Sequence, residues 1–361
     1  MIHLMRGSPI IAAVFVMALS GPAFGQPDAD ALLAPLPIRD QFLLNNGFFF
    51  FQPEGAAVIA QDESRLIITA ADSNTFAKSA WISRNLAGQR NRATATNELA
   101  DSRYRGEGPL FLADGETHRF ELSLRHGFGN HLEVGVIVPV STIGGGWGDR
   151  LIELTHQALG VGNANRSALR QNSETVYIDT ATLHYLRDRS AGYALGDIAL
   201  TGKYELSALE DRNVALALAG ALELPTGNAR TLDGSGSFDA GVQLIMTRTL
   251  PSSRIHASIG MLRLGADRPL GTHSQLVITN TIAFAHRVGE QTSATLQLTL
   301  SECPFRHLGL AELRRRSNQL SAGIQRQIGR STILYAALVE NVLTYENSAD
   351  AGIAWGLARR F

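Results

Sequence analysis

The sequence predicts an all-β chain: a transmembrane, antiparallel, up-and-down β-barrel of about twelve strands, with one short helix in a long extracellular loop. Three observations carry that expectation. Stretches of alternating apolar and polar residues recur from Ser64 to Phe361, the period of a strand whose two faces meet different surroundings. Each stretch runs to roughly eleven to fourteen residues, where a soluble strand averages about five to six. The connections between them fall into two alternating sets, one short and one mostly long, as in barrels that cross a membrane.

The closing stretch organises the rest. Read at period two, Ala351, Ile353, Trp355, Leu357, Arg359 and Phe361 share one face, and Gly352, Ala354, Gly356, Ala358 and Arg360 share the other. A terminal aromatic suits a strand that lies against lipid with its ring at the interface. This pattern resembles the C-terminal strand of bacterial outer-membrane barrels, which serves as their assembly signal. The resemblance implies the barrel assembly machinery as a partner through Phe361. Arg359 departs from it, and is tolerable close to the periplasmic interface, where a charge costs little.

Global numbers bound the reading. The chain has 361 residues, a formal net charge of −1, 18% charged and 45% hydrophobic residues, and a single cysteine, Cys303. A near-neutral chain offers no general electrostatic case for nucleic acid. One cysteine excludes an internal disulfide and reads as a free thiol in a loop. Residues 1–25 read as a secretory signal: a positive start, an apolar run from Ile10 to Leu19, and a small-x-small site at Ala23-Phe24-Gly25. The run is too short for a spanning helix. Residues 26–62 then form an N-terminal segment, and residues 63–361 the barrel.

The elements follow in order. The run Phe48-Phe49-Phe50-Phe51 does not alternate, which places it either as a plug inside the lumen or as a buried periplasmic or wall strand. Residues 64–76 alternate weakly. In residues 115–128, Phe120, Leu122 and Leu124 oppose Glu121, Ser123 and Arg125, and Gly129-Asn130 makes a tight turn. Leu132, Val134, Val136 and Val138 continue the pattern. Residues 149–160 read as a helix stopped by Gly160. Strands follow at 195–207, 213–224, 238–250, 254–264, 274–288, 291–301, 318–328 and 331–343, ahead of the closing one. This makes twelve. Adding residues 47–60 and 175–187 to the wall gives a fourteen-strand alternative, at the cost of mixing short and long connections on one side.

Several segments resemble an uncharacterised family of predicted bacterial outer-membrane proteins, known as a domain of unknown function. They are Pro35-Leu36-Pro37-Ile38-Arg39-Asp40-Gln41, Asp114-Gly115-Glu116-Thr117, the helix with Asp149, Ile152, Glu153 and His156, Gly196-Asp197, and Glu340-Asn341 followed by Asn347-Ser348-Ala349-Asp350. Leu224-Pro225-Thr226-Gly227 followed by Gly234-Ser235-Gly236 also resembles a wider group of outer-membrane transporters, some encoded with aromatic-degradation genes. The N-terminal Phe run is similar in placement to the lumen-blocking segment of long-chain fatty-acid channels. The resemblance implies the bacterial outer membrane as the address and its lipid as the surrounding partner.

The predicted inner face is polar and of mixed sign: Glu121, Arg125, Glu133, Asp197, Lys203, Glu205, Asp239, Arg254, His256 and Gln325. The first four of these, with Lys203, Glu205, Arg254 and His256, are the candidate lumen residues. Asp149, Glu153 and His156 share one helix face and form a candidate loop cluster, able to bind a metal or to pair an acid with a base; tying the loop helix to lumen arginines is the favoured explanation, because structural ion pairs are commoner than sites. No catalytic residue, cofactor or metal is assigned. Ser258 lies two residues from His256, but Arg254 and Gly260 share that face, which reads as a lumen row. The expected function is passive uptake of a small solute, hydrophobic in one version. An outer-membrane lipid hydrolase and a closed structural or adhesion barrel are the alternatives.

Overall fold

The structure is a computed structural model and describes residues 29–86, 109–146, 148, 166, 169, 172–181, 183–188, 192–209, 213–266, 270–271, 275–343 and 346–361. The expected signal segment and the helix with Asp149, Glu153 and His156 lie outside the described residues.

Twelve strands close into one antiparallel barrel. In chain order they are β1 (Ser64–Lys78), β2 (Leu110–Phe128), β3 (Leu132–Gly144), β7 (Ile198–Leu209), β8 (Val214–Leu224), β9 (Asp239–Thr249), β10 (Ser253–Leu264), β11 (Gln275–Gly289), β12 (Thr292–Glu302), β13 (Arg316–Ile328), β14 (Thr332–Glu340) and β15 (Ala351–Arg360). Among the described residues, three short strands, β4 (Thr175–Asp179), β5 (His184–Arg187) and β6 (Ala194–Leu195), lie between β3 and β7. Closure is made by β1, which pairs with β2 on one edge and β15 on the other; Leu66 stands opposite both Leu124 and Arg359. A closed sheet has no free edge, which is what lets a strand structure lie in hydrocarbon.

The fourteen-strand alternative is not realised. β4 and β5 form a hairpin that pairs with the end of β2, Leu110 to Asp114, above β3, and residues 47–60 are not strand. β1 and β2 also run further than their alternation indicated, to Lys78 and from Leu110. The loop between them opens with a short helix, α2 (Ala80–Leu86), following α1 (Ala29–Leu32) in the chain. Phe76, Ile82, Leu110, Leu112, Leu169 and Tyr177 cover this overhang with its own apolar cluster, so its pattern is that of a two-sided buried sheet and not of a lipid-facing one.

The strand pattern sorts the faces. Leu218, Leu244, Ile282, Leu296 and Leu338 point outward and are exposed, Leu338 at 66% and Leu218 at 46%. Their neighbours along the strands, such as Ala217, Gln243, Ala283, Gln297 and Ala337, are buried inside. An apolar belt on a closed polar-lined wall is stable only against lipid. Leu218→Arg is therefore expected to cost about 2–4 kcal/mol in a bilayer, read as a lower urea midpoint for folding into vesicles. An unchanged midpoint would show that the belt does not face hydrocarbon.

A filled lumen as the candidate solute path

The turn end of the barrel carries Phe361, Ser64 and the tight turns; the loop end carries the long connections. Residues 31–61 lie against the inner face between these ends as two limbs and an apex. On the first limb, Ser293 Oγ donates to the Leu32 carbonyl (2.5 Å), His256 Nε2 to Leu33 (2.8 Å) and Gln325 Nε2 to Ala34 (2.6 Å). The Leu36 amide donates to Gln297 Oε1, and the Gln41 amide to Gln319 Oε1. On the second limb, the amides of Ala56, Val58 and Ile59 donate to Thr247, Glu205 and Glu133. An extended limb has no partners of its own for these groups, so the wall must supply them.

The apex packs at the loop end. Arg39 Nη2 donates to the carbonyls of Asn45 and Phe48, 2.7 Å each, and burial, with Arg119 next to it, lowers its pKa to about 10. Asp40 accepts from the Phe42 amide, Asn45 Nδ2 and Ser317 Oγ. Phe48 is fully buried, edge-on to Phe305 at 5.8 Å, and Phe49 meets Phe51 at 5.0 Å. Phe51 fits a recess where the wall has no side chain: a Cβ on Gly241 would lie 2.8 Å from its ring and one on Gly260 3.2 Å. Leu308, Leu310 and Leu313 from the loop after β12 complete the same apolar cluster. Cys303 is buried there, and burial pushes its thiol up to about 12, so it stays protonated and acts as a small apolar group.

Where the second limb begins, charges converge. Glu54 Oε2 lies 2.5 Å from Arg125 Nη1 and 3.0 Å from Lys203 Nζ. Glu133 Oε1 faces the same two cations at 3.2 and 3.4 Å. Two cations and two carboxylates balance, which a poorly solvated site requires. Burial works against the Glu54 carboxylate, but Arg125 and Lys203 outweigh it and hold it down to about 2.

The structure brings most of the predicted lumen residues to the N-terminal segment. Glu121 accepts from Gln52 Nε2 and pairs with Arg119; Arg125, Glu133, Lys203, Glu205 and His256 hold the limbs as described. His256 links both: its Nε2–H reaches Leu33, while Thr247, which accepts from Ala56, donates to its Nδ1. Arg254 lines an open cavity at the turn end. Asp197 sits before β7 and accepts from the amides of Gly227 and Ser235. It thereby joins Gly196-Asp197 to the Pro225 and Gly234 motifs as one loop clamp, with Thr226 Oγ1 donating to Gly196. The Asn341 and Asp350 motif is likewise a clamp, with Asp350 also taking Arg166. Ser258 accepts from Gln243 inside the barrel; the Ser and His side chains that do meet, Ser64 with His126 at 2.9 Å and Ser253 with His286 at 2.8 Å, stand at the turn end on the outward register.

Three features were not legible as site residues. Glu54 lies in an aperiodic segment and shows no pattern. Gln297 and Gln319 had a signal, an amide on the inner face of an otherwise simple strand. Asp72, Glu116 and His118 meet on the outer face near the loop end, with His118 Nδ1 3.1 Å from Asp72 and Nε2 3.9 Å from Glu116. Each ring nitrogen faces a different carboxylate, and Glu116 also receives the Gly148 amide. This is an ion-paired clamp that draws the loop onto the wall.

An apolar belt, closed wall and occupied lumen define a transmembrane β-barrel whose interior is filled by its own chain. The chain belongs to the family described as protein of unknown function (DUF3187), whose pattern it matches over residues 11–361. No curated protein matches it in sequence. Among solved structures it is similar to the NanC porin in its rhombohedral crystal form, at 7% identity and a TM-score of 0.42, over 81% of this chain and 97% of that one. It is similar to the KdgM porin at 7% and 0.40, over 82% and 99%. For the P. putida toluene transporter TodX the values are 10% and 0.38, over 84% and 90%. Likeness at this level carries nothing further, and the functional reading rests on the chain's own geometry.

Proposed function

We propose that this protein is a bacterial outer-membrane channel for passive uptake of a small solute with apolar surface, held closed in this conformation by its N-terminal segment. In this reading the turn end faces the periplasm and the loop end the outside, and lipid surrounds the belt. Phe361, 52% exposed after the closing strand, is the contact for the assembly machinery. The observation that carries the reading is how the limbs are held. Outside the Glu54 ion-pair group and the apolar seats of Leu36, Ile38 and Ala56, they bind through single polar contacts to wall side chains, and such bonds can be exchanged for water at small net cost. A segment meant only to fill space would be better held by apolar packing along its whole length. The aromatic apex gives an entering solute an apolar surface, and the limbs below give it a polar exit.

The packed apolar cluster at the loop end favours a second reading, a closed structural barrel. Planar-bilayer recording of the refolded chain separates the two. The intact chain is expected to be silent or to open rarely, and deletion of residues 35–52 to give steady, ohmic steps. Silence from both, with heat-modifiable gel mobility showing both folded, would exclude passage and leave the structural barrel.

A further inference from the structure

We propose that Asp72, Glu116 and His118 form a binding site for a divalent metal ion of the zinc type, on the outer face of the barrel at its loop end. The strand pattern builds it. Glu116 and His118 stand two apart on β2 and so share one face, and Asp72 of β1 stands directly opposite His118 in the register. Two paired strands thus present three donors from a rigid backbone. One donor atom from each side chain lies within 4.8 Å of the other two, and among the described residues no other such group of three is found. The site stands on the outer wall, so it holds whether or not the lumen conducts.

Glu116 is the anchored member. Its carboxylate is buried under the loop that follows β3, with Oε1 receiving the Gly148 amide and Oε2 turned toward His118. Gly146 has a φ of +47°, and a side chain there or on Gly148 would run into that carboxylate. The loop therefore carries glycine at both places where Glu116 needs room. Asp72 and His118 complete the group from the open side, each 17% exposed at the side chain, which gives an ion a way in from water. A carboxylate has about four lone-pair positions, so Asp72 and Glu116 can keep their other contacts while each gives one oxygen to an ion. The ion takes an imidazole nitrogen in place of its proton and one oxygen from each carboxylate, at bonds of about 2.0–2.2 Å, with water completing the shell. An imidazole beside two carboxylates suits zinc, whereas calcium takes a larger set of oxygen donors. Bound there, the ion joins β1, β2 and the loop after β3, and tightens the clamp that the ion pairs already make.

The test is calorimetric titration of the refolded full chain in nanodiscs with zinc chloride and, separately, with calcium chloride. Zinc is expected to bind with micromolar affinity, at least about tenfold more tightly than calcium. His118→Gln is expected to weaken zinc binding by about tenfold or more, and Asp72→Asn gives the same readout should the first variant fail to fold, as judged by heat-modifiable mobility. His184→Gln, at an exposed imidazole 3.5 Å from Asp179, is expected to leave zinc affinity unchanged. Zinc should also slow amide exchange at Gly148 in the unaltered chain and not in His118→Gln. No zinc binding up to about 1 mM, or equal affinity for calcium, would overturn the proposal. Zinc affinity unmoved by both His118→Gln and Asp72→Asn would mean an adventitious ion only, and would overturn it as well.

Discussion

Glu54→Ala is expected to release the second limb from the wall. The wild-type group is compact and balanced: Glu54 and Glu133 share Arg125 and Lys203, and all four side chains are at most 14% exposed. Removing one carboxylate leaves two cations facing one acid in a poorly solvated place. Breaking a buried pair from one side costs about 3–5 kcal/mol, or between two and four decades of population at about 1.4 kcal/mol per decade. The Lys203 contact to the Gly55 carbonyl and the Ile59 amide contact to Glu133 depend on the same cluster and should loosen with it. Amide exchange at residues 54–62 in nanodiscs is the measurement, and unchanged protection there would show that the ion pairs do not hold the limb. The pH dependence has a definite sign. The Glu54 pKa is depressed from 4.5 to about 2 in the fold. Its contribution is therefore complete above about pH 4.5 and fades as pH falls from there toward 2. The wild-type limb should stay protected from neutral to mildly acidic pH and loosen below that window, whereas Glu54→Ala should exchange quickly at every pH.

What the sequence made legible follows from which residues obey a period. Leu122 and Leu124 face lipid and Glu121 and Arg125 face inward, so alternation reports the wall directly. The exclusion of residues 175–187 from the wall came from the sorting of short and long connections, and β4 and β5 indeed form a hairpin beyond the membrane strands. The lumen was legible only by half. The inner face could be seen to be polar and of mixed sign, but not what answers it. Glu54, Gln41 and Leu33 lie in segments with no period, and their wall partners Lys203, Gln319 and His256 are more than a hundred residues away. Phe305, Leu308 and Leu313 read as loop because their burial comes from other loops and from the N-terminal apex, not from strand or helix geometry. The motifs that carried the family resemblance turn out to be fasteners. Asp40 fixes the apex turn, Asp197 clamps the loop after β8, and Asp350 clamps the ends of β14 and β15. Each is a carboxylate receiving specific donors, Asp40 and Asp197 buried and Asp350 partly so, and no periodic pattern announces such a role.

Phe48→Ala tests the other end of the same segment. Phe48 is wholly buried and meets Phe305 edge-on, so its removal takes away the contact between the N-terminal apex and the loop after β12. A buried Phe→Ala change costs about 3–5 kcal/mol. Little of that loss should fall on the wall, because the twelve strands keep their ladders and their lipid-facing side chains. The cost should instead fall on the balance between an apex seated among the loops and one displaced from them. If that balance governs passage, the opening frequency in a planar bilayer should rise by about two to four decades, with heat-modifiable mobility unchanged. The double variant Glu54→Ala, Phe48→Ala then reports whether apex and limb leave together. A segment released as one unit needs both fastenings broken, so the double variant should approach the steady conductance of the 35–52 deletion, while each single change gives only brief openings. Should Phe48→Ala speed amide exchange at the apex and still leave the bilayer silent, the apex is not what closes the path, and the packed loop cluster becomes the structural seal of a closed barrel.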